Sequence, residues 1–517
     1  MAVKDPPSVA TVDGNGAAHP AEYGAKDRQD DAQARGHARR AIWKQFAASA
    51  AVQCFHLMTG VCMAYSSSLI PALEAADSDI PVTRHQSAWL ASTFVLAVPV
   101  GSTLSLCLND VLGRLMLVKT VSIPYCIGWS LIATATSFEQ LVIGRLCTGV
   151  AIGMAHSPSL LFITEVATKN IRGGLTAVAT ALASMGIVGC YVMGAYMDWR
   201  THAWALCAVP ALPLLLQTVF ATESPVWLRA RGRTEAGAKA SQYYYNDPDM
   251  VLSGPSASAK GGNSIWHVSR LLFTNPLGYK PLILVFAMFV IQQVVGVYIT
   301  IYYAVTFFQE TGSTIDAYMA TILIGVVRFI GCTTVSLVMT KFGRRTLMLL
   351  SSVGQTVFMT MSGYATMCIL QEPGSVSSMW VVAGLLGYIA LGCLGWQTIP
   401  WSMMAELFPH EVRSLAQPFN SSMAHILMFA MLQVYPILND LVGGAAGIQY
   451  LFAAVSALSA VFVFVFLPET RGRTLPEIED YFRNNVTFLT EKARRRAARR
   501  AVAQAALTAK TPSTPPV

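Results

Sequence analysis

Apolar stretches of about 20 residues, long enough to cross a ~30 Å hydrocarbon core as helix, recur along this chain between short polar breaks. They fall near 46–68, 87–109, 116–136, 141–164, 173–195, 203–221, 281–308, 317–340, 346–369, 379–404, 414–436 and 447–467. This gives twelve spans, six on each side of one long polar stretch at 225–278. Without water at membrane depth the backbone must satisfy itself, so each span is predicted to be a helix. The predicted fold is an all-α membrane protein: twelve transmembrane helices in two six-helix halves, 43–224 and 279–470, with short cytoplasmic helices outside them.

The polar residues at the span ends repeat. Asp110-Val111-Leu112-Gly113-Arg114 returns as Lys341-Phe342-Gly343-Arg344-Arg345, Glu165…Arg172 returns as Glu406…Arg413, and Thr222-Glu223-Ser224-Pro225 returns as Leu467-Pro468-Glu469-Thr470. The two halves are therefore a duplicated unit. Related halves can rock about a site held between them near the bilayer midplane, which makes transport the first functional expectation.

Composition agrees with a life outside water: charged residues are 12% of the chain and mean hydropathy is +0.48. Basic residues flanking spans stay on the cytoplasmic side. Arg39, Arg40 and Lys44 precede span 1, Arg114 and Lys119 follow span 2, Lys169 and Arg172 follow span 4, and Lys341, Arg344 and Arg345 follow span 8. The loop 69–86 carries Glu74, Asp77 and Asp79 against Arg84. Both termini are thus expected in the cytoplasm. The net charge of +8 follows from this topology and does not call for nucleic acid. The ten Cys lie in or beside spans with no metal-ligand spacing, so neither a metal nor a cofactor is expected. Residues 1–42 read as a disordered tail, 225–278 as a partly helical linker, and 471–517 as a tail with six basic residues between Lys492 and Arg500.

Ionisable groups at membrane depth are costly unless paired. The Gly-Arg and Glu/Arg motifs are accordingly expected to converge as a cytoplasmic gate. Arg114, Arg145 and Arg172 would pair with Glu165 and Glu469, and Arg344, Arg345 and Arg413 with Glu406 and Glu223, the cross-half pairs breaking as the gate opens. Gly149 and Gly153 in span 4 form a small-xxx-small face suited to close helix packing.

These motifs resemble the sugar porter family of the major facilitator superfamily from about residue 44 to 483. They include Gly144-Arg145, Arg172-Gly173, Glu223-Ser224-Pro225-Val226-Trp227-Leu228, Gln292-Gln293…Gly296…Tyr302-Tyr303, Pro400-Trp401…Glu406 and Pro468-Glu469-Thr470-Arg471-Gly472-Arg473. Ile324-Gly325-Val326-Val327 and the wording of spans 7 and 10 are most similar to the arthropod trehalose facilitators. The resemblance implies a sugar site between the halves, built from spans 5, 7, 8, 10 and 11. Amide groups would serve sugar hydroxyls there, and an aromatic face the C–H side of the ring.

Gln292, Gln293 and Trp401 stand where the family's paired glutamines and span 10 tryptophan stand. Elsewhere the family's residues are replaced: its span 5 glutamine by Thr180, span 7 asparagine by Tyr298, span 8 asparagine by Arg328, span 10 glutamate by Cys393, and span 11 Asn-Trp pair by Ala424 and His425. Thr180, Tyr298, Arg328 and His425 are thus expected to set selectivity. Arg328 lies sixteen residues before Arg344, roughly 24 Å along a helix at ~1.5 Å per residue. A charge there needs a partner, and the middle of no span offers a carboxylate. Proton-coupled relatives carry an acid in span 1, whereas Ala64-Tyr65-Ser66-Ser67-Ser68 has none.

The reading is a facilitative carrier of a sugar, hexose or trehalose-like, in the plasma membrane, acting as a monomer without catalysis. The alternatives are a proton-coupled or polyspecific carrier of an organic anion or polyol, or a non-transporting nutrient receptor.

Overall fold

The computed structural model describes residues 36, 39–250, 265–339, 341–473 and 475–484, with the side chains of 169–174, 176, 177, 265, 336, 405, 410, 414 and 475 outside the description. The N-terminal tail before residue 36, the Gly/Ser part of the linker and the basic C-terminal run therefore lie outside the described residues.

Eleven helices are long and apolar enough to cross a membrane. The first half holds span 1 (Arg39–Glu74), span 2 (Arg84–Leu112), span 3 (Arg114–Ala133), span 4 (Phe138–Val166), span 5 (Lys169–Tyr196) and span 6 (Trp199–Phe220). The second holds span 7 (Pro276–Val294, continued by Ile299–Tyr302 and Ala304–Glu310), span 8 (Ala317–Val338), span 10 (Met379–Leu394 and Ile399–Glu406), span 11 (His410–Leu441) and span 12 (Ala445–Phe466).

The twelfth is span 9, Arg344–Gln371, which is 28 residues long and less apolar than the rest. Its polar residues are buried against neighbours. Ser352 Oγ accepts from Trp396 Nε1 at 2.7 Å and from Ser459 Oγ at 2.8 Å, and Thr366 Oγ1 donates to Gln449 Oε1 at 3.0 Å. Inter-helix hydrogen bonds of this kind satisfy groups that lipid could not.

The duplication seen in the sequence is a duplication of packing. Within the first half span 1 packs on span 5, span 2 on 4, and span 3 on 4 and 6. Within the second, span 7 packs on 11, span 8 on 10, and span 9 on 10 and 12. The expected small-residue face of span 4 is used in this way against span 2. A β-carbon at Gly149 would sit 2.2 Å from the Phe94 carbonyl oxygen, and one at Gly153 2.1 Å from that of Val98. Only glycine permits this backbone approach.

Three short helices, Pro225–Ala230, Thr234–Tyr245 and Ile265–Thr274, join the halves at one end of the bundle, here called the linker end. They are docked there: Tyr245 Oη donates to the carbonyls of Glu165 and Val166, and Tyr244 Oη donates to that of Thr222 at 2.7 Å. A last helix, Leu475–Asn484, packs on span 7, where Lys280 Nζ donates to the Phe482 carbonyl.

Candidate functional site

At the linker end, each repeated motif folds into the same clamp. Gly113 ends span 2 at φ +95°, and Glu223 accepts hydrogen bonds from the backbone N–H groups of Arg114, Leu115 and Met116 at 3.1–3.2 Å. Glu469 does the same for Arg344 and Arg345 at 3.0 and 3.3 Å. A carboxylate at a helix N-terminus meets unsatisfied donors and the positive end of the dipole.

The glycine before each arginine is what admits it. A β-carbon at Gly113 would lie 2.7 Å from Glu223 Oε2, and one at Gly343 2.1 Å from Glu469 Oε2. The arginines then reach the ends of spans 4 and 10: Arg114 to Glu165 at 3.2 Å and Arg344 to Glu406 at 3.0 Å. Thr470 Oγ1 donates to the other oxygen of Glu406 at 2.7 Å.

The expected gate differs from this in its partners. Glu223 and Glu469 engage backbone of their own halves, so neither crosses to the arginines of the other. Arg345 donates to the Leu467 and Phe464 carbonyls, and Arg413 to that of Phe408. The ion pairs Arg114–Asp110, Arg114–Glu165 and Arg344–Glu406 at the linker end each lie within one half. The side chain of Arg172 lies outside the described residues.

Arg145 does not belong to this cluster. It sits seven residues into span 4 from the opposite, far end, fully buried, and donates to the carbonyls of Leu90 and Cys62 and to Ser66 Oγ. The Gly-Arg dipeptide looked like those of spans 2 and 8, but theirs follow the last turn of the span, whereas Gly144-Arg145 lies near the start of span 4, which runs in the same direction.

The contacts that cross between halves gather at the far end. Spans 5 and 8, 2 and 11, and 1 and 7 pack against each other. Arg84 pairs with Asp440 at 2.9 Å, Tyr191 Oη donates to the Ile301 carbonyl at 2.8 Å, the Val305 N–H to Ser67 Oγ at 3.3 Å, and Gln433 Nε2 to Ser92 Oγ at 3.1 Å. Beside Arg84 and Asp440, Glu310 accepts from Asn439 Nδ2 at 3.1 Å. Sequence reasoning used the charges of this end only for orientation. The lone base Arg84 in an acidic loop was the available signal.

Between the two ends, spans 7 and 10 are both broken, at 295–298 and 395–398. The breaks free backbone carbonyls, and Gln292 Nε2 donates to that of Trp396. Trp401 Nε1 donates to Tyr298 Oη at 3.0 Å, and its ring stands 5.1 Å from Phe289 and 5.6 Å from His425, both edge-on. His425 is oriented by the Ser421 carbonyl at 2.7 Å. His56 and His156, whose ring centroids are 6.0 Å apart, face it from the first half, with His156 within Coulombic range of His425.

Arg328 is 6% exposed, and its Nε and Nη1 have no partner among the described residues. It lies within Coulombic range of Tyr191, Tyr298 and Tyr302, and its carbonyl accepts from Cys393 Sγ. Thr180 is half-buried on span 5, and its carbonyl accepts from Ser184 Oγ at 2.9 Å. The structure thus links Tyr298, Trp401 and His425 into one set, ties Gln292 to the neighbouring break of span 10, and holds Arg328 within Coulombic range of Tyr298. Gln293 is buried on the same turn as Gln292, its Nε2 without a partner among the described residues.

This arrangement belongs to a recorded family. The chain matches the sequence profile described as "Sugar (and other) transporter" over residues 47–482. The protein is a member of the sugar transporter family. Among relatives of this family, the facilitated trehalose transporter Tret1 of Aedes aegypti is 30% identical over 448 residues, which cover 85% of this chain and 55% of that protein. The chain therefore spans about half the length of that relative. The Tret1 of Culex quinquefasciatus is 29% identical over 85% of this chain and 86% of its own.

Solved structures of the proton:xylose symporter XylE share the fold. The form bound to 6-bromo-6-deoxy-D-glucose has a TM-score of 0.65 at 21% identity, covering 85% of this chain and 99% of that one. An inward-open form has 0.66 at 20%, covering 84% and 99%. The protein is an integral membrane protein with the major facilitator fold of twelve helices.

Proposed function

We propose that this protein is a facilitative carrier that moves a sugar across the membrane by alternating access. The observation that carries this reading is the asymmetry of the bundle: hydrogen bonds and an ion pair join the halves at the far end, whereas the charged clamps at the linker end each close within one half. With the linker end in the cytoplasm, where its basic residues belong, this is an inward-facing state with both termini inside. Sugar would sit at mid-membrane against Gln292, Gln293 and Trp401, with Thr180, Tyr298, Arg328 and His425 shaping selectivity. Separation of the far-end contacts, with Arg114, Arg172, Arg344, Arg345 and Arg413 drawn toward the opposite half, would complete the exchange. A rigid half can rock in this way because its own packing is not disturbed.

Transport without proton coupling is supported by Arg145. Its partners are two carbonyls and the Ser66 hydroxyl, and among the described residues no carboxylate pairs with it to carry a proton. The protein makes and breaks no bond in this reading, works as a monomer, and resides in the plasma membrane. Counterflow of labelled neutral and acidic sugars, glucose and trehalose among them, in proteoliposomes tests it. Saturable exchange, insensitive to a protonophore, is expected. Collapse of uptake with the protonophore overturns the uniport, and absence of exchange for every sugar overturns the carrier.

A further inference from the structure

We infer that the central site is built for a sugar bearing one carboxylate, such as a hexuronate or aldonate, with Arg328 as the group that receives the anion. The inference rests on the sugar-carrier reading above and specifies its substrate class.

Among the described residues, two arginines are buried away from the ends of the spans, and they are handled differently. Arg145 is fully satisfied by two carbonyls and a hydroxyl. Arg328 has neither that nor a carboxylate: Nε and Nη1 have no partner among the described residues, although the side chain is more than nine-tenths buried. Asp and Glu are absent from spans 5, 7, 8, 10 and 11 except at their ends, as Glu310, Glu406, Glu411 and Asp440. A buried ion whose charge nothing in the protein offsets is complementary to a ligand of opposite charge.

The location is that of the sugar site. Arg328 is in Coulombic range of Tyr298, whose hydroxyl accepts from Trp401 Nε1 at 3.0 Å, and its backbone carbonyl meets Cys393 Sγ of span 10, two residues before the break in that helix. Among the described residues of the two broken helices, Gln397 Nε2, whose Oε1 accepts from the same Cys393 thiol that meets the Arg328 carbonyl, is without a partner, as are Gln293 Nε2 and Gln292 Oε1 just before the break of span 7. Together with Arg328 Nε and Nη1 they make four donors against one acceptor. A neutral sugar presents hydroxyls that give and take about equally, whereas a carboxylate only accepts. A single carboxylate also matches the single charge, which a phosphate of about two charges would exceed.

The test uses the full-length protein in proteoliposomes with labelled D-glucuronate, D-gluconate, D-glucose and trehalose. Saturable uptake of an acidic sugar is expected, and it must carry charge. An inside-positive potassium diffusion potential of about 60 mV should raise the accumulation of a monoanion about tenfold and leave a neutral sugar unaffected. In Arg328→Gln the ratio of acidic to neutral sugar uptake should fall at least tenfold. The potential dependence is read on the wild-type protein, so the inference stays exposed to refutation if the variant does not fold. Uptake of glucose or trehalose with no uptake of either acid overturns the inference and leaves the sugar carrier standing. An unchanged ratio in Arg328→Gln overturns it as well. Uptake of none of the four sugars overturns both readings.

Discussion

Arg84, which opens span 2, and Asp440, at the end of span 11, meet at 2.9 Å although 356 positions separate them in the chain. The pair joins the two halves where their other cross-contacts gather. Both side chains are about two-thirds exposed, so the pair contributes no more than about 1 kcal/mol. Arg84→Ala is therefore expected to loosen the far end without unfolding the bundle, raising the labelling rate of a reporter cysteine beneath the seal by up to about fivefold. The reversed pair, Arg84→Asp with Asp440→Arg, should restore the slower rate.

The clamps at the linker end should behave as units. In Gly343→Ala the new methyl meets a Glu469 oxygen and forces the carboxylate off the N–H groups of Arg344 and Arg345. A loss of about 1–3 kcal/mol is expected, as for a partly buried, hydrogen-bonded carboxylate displaced from its donors. Glu469→Gln should cost a similar amount, and adding Gly343→Ala to it should cost little more. A thermal-unfolding double-mutant cycle in detergent measures this coupling, and full additivity would count against the clamp.

The paired glutamines should separate. Gln292 holds the broken backbone of span 10 through the Trp396 carbonyl, whereas Gln293 Nε2 has no partner among the described residues. Gln292→Ala should lower both thermal stability and uptake. Gln293→Ala should raise the apparent KM for sugar several-fold while the melting temperature moves little. Equal stability losses in the two variants would show that both serve the fold.

How much of this could be read from the chain differs from place to place. The spans were legible because apolar length alone dictates them, and span 9 was found by sequence even though its buried Ser351, Ser352 and Gln355 make it less apolar than the others. The repeated charges were legible as a repeat, yet their partners were not. Glu223 and Glu469 looked like acids awaiting distant arginines because side-chain charge is visible in sequence, and the backbone donors of a helix N-terminus are not. Arg145 was misassigned for a related reason: the dipeptide looks the same wherever it falls, while its depth is set by its place along the span, near the start of span 4 rather than after its end. At the centre, Trp401 and Tyr298 are joined by a hydrogen bond between two broken helices. Periodicity carries no information about such a contact, since the break itself interrupts the period.

The clamps have a mechanical consequence. Each ties the start of one helix to the end of another inside the same half, through a carboxylate lodged where a β-carbon would otherwise stand. A half braced in this way at its tip resists bending, so force applied by a solute at mid-membrane travels to the tip as a turn of the entire half. The distance moved there is set by lever arm rather than by local softness. Small changes in how tightly the centre grips its cargo can then become large differences in how wide the mouth opens.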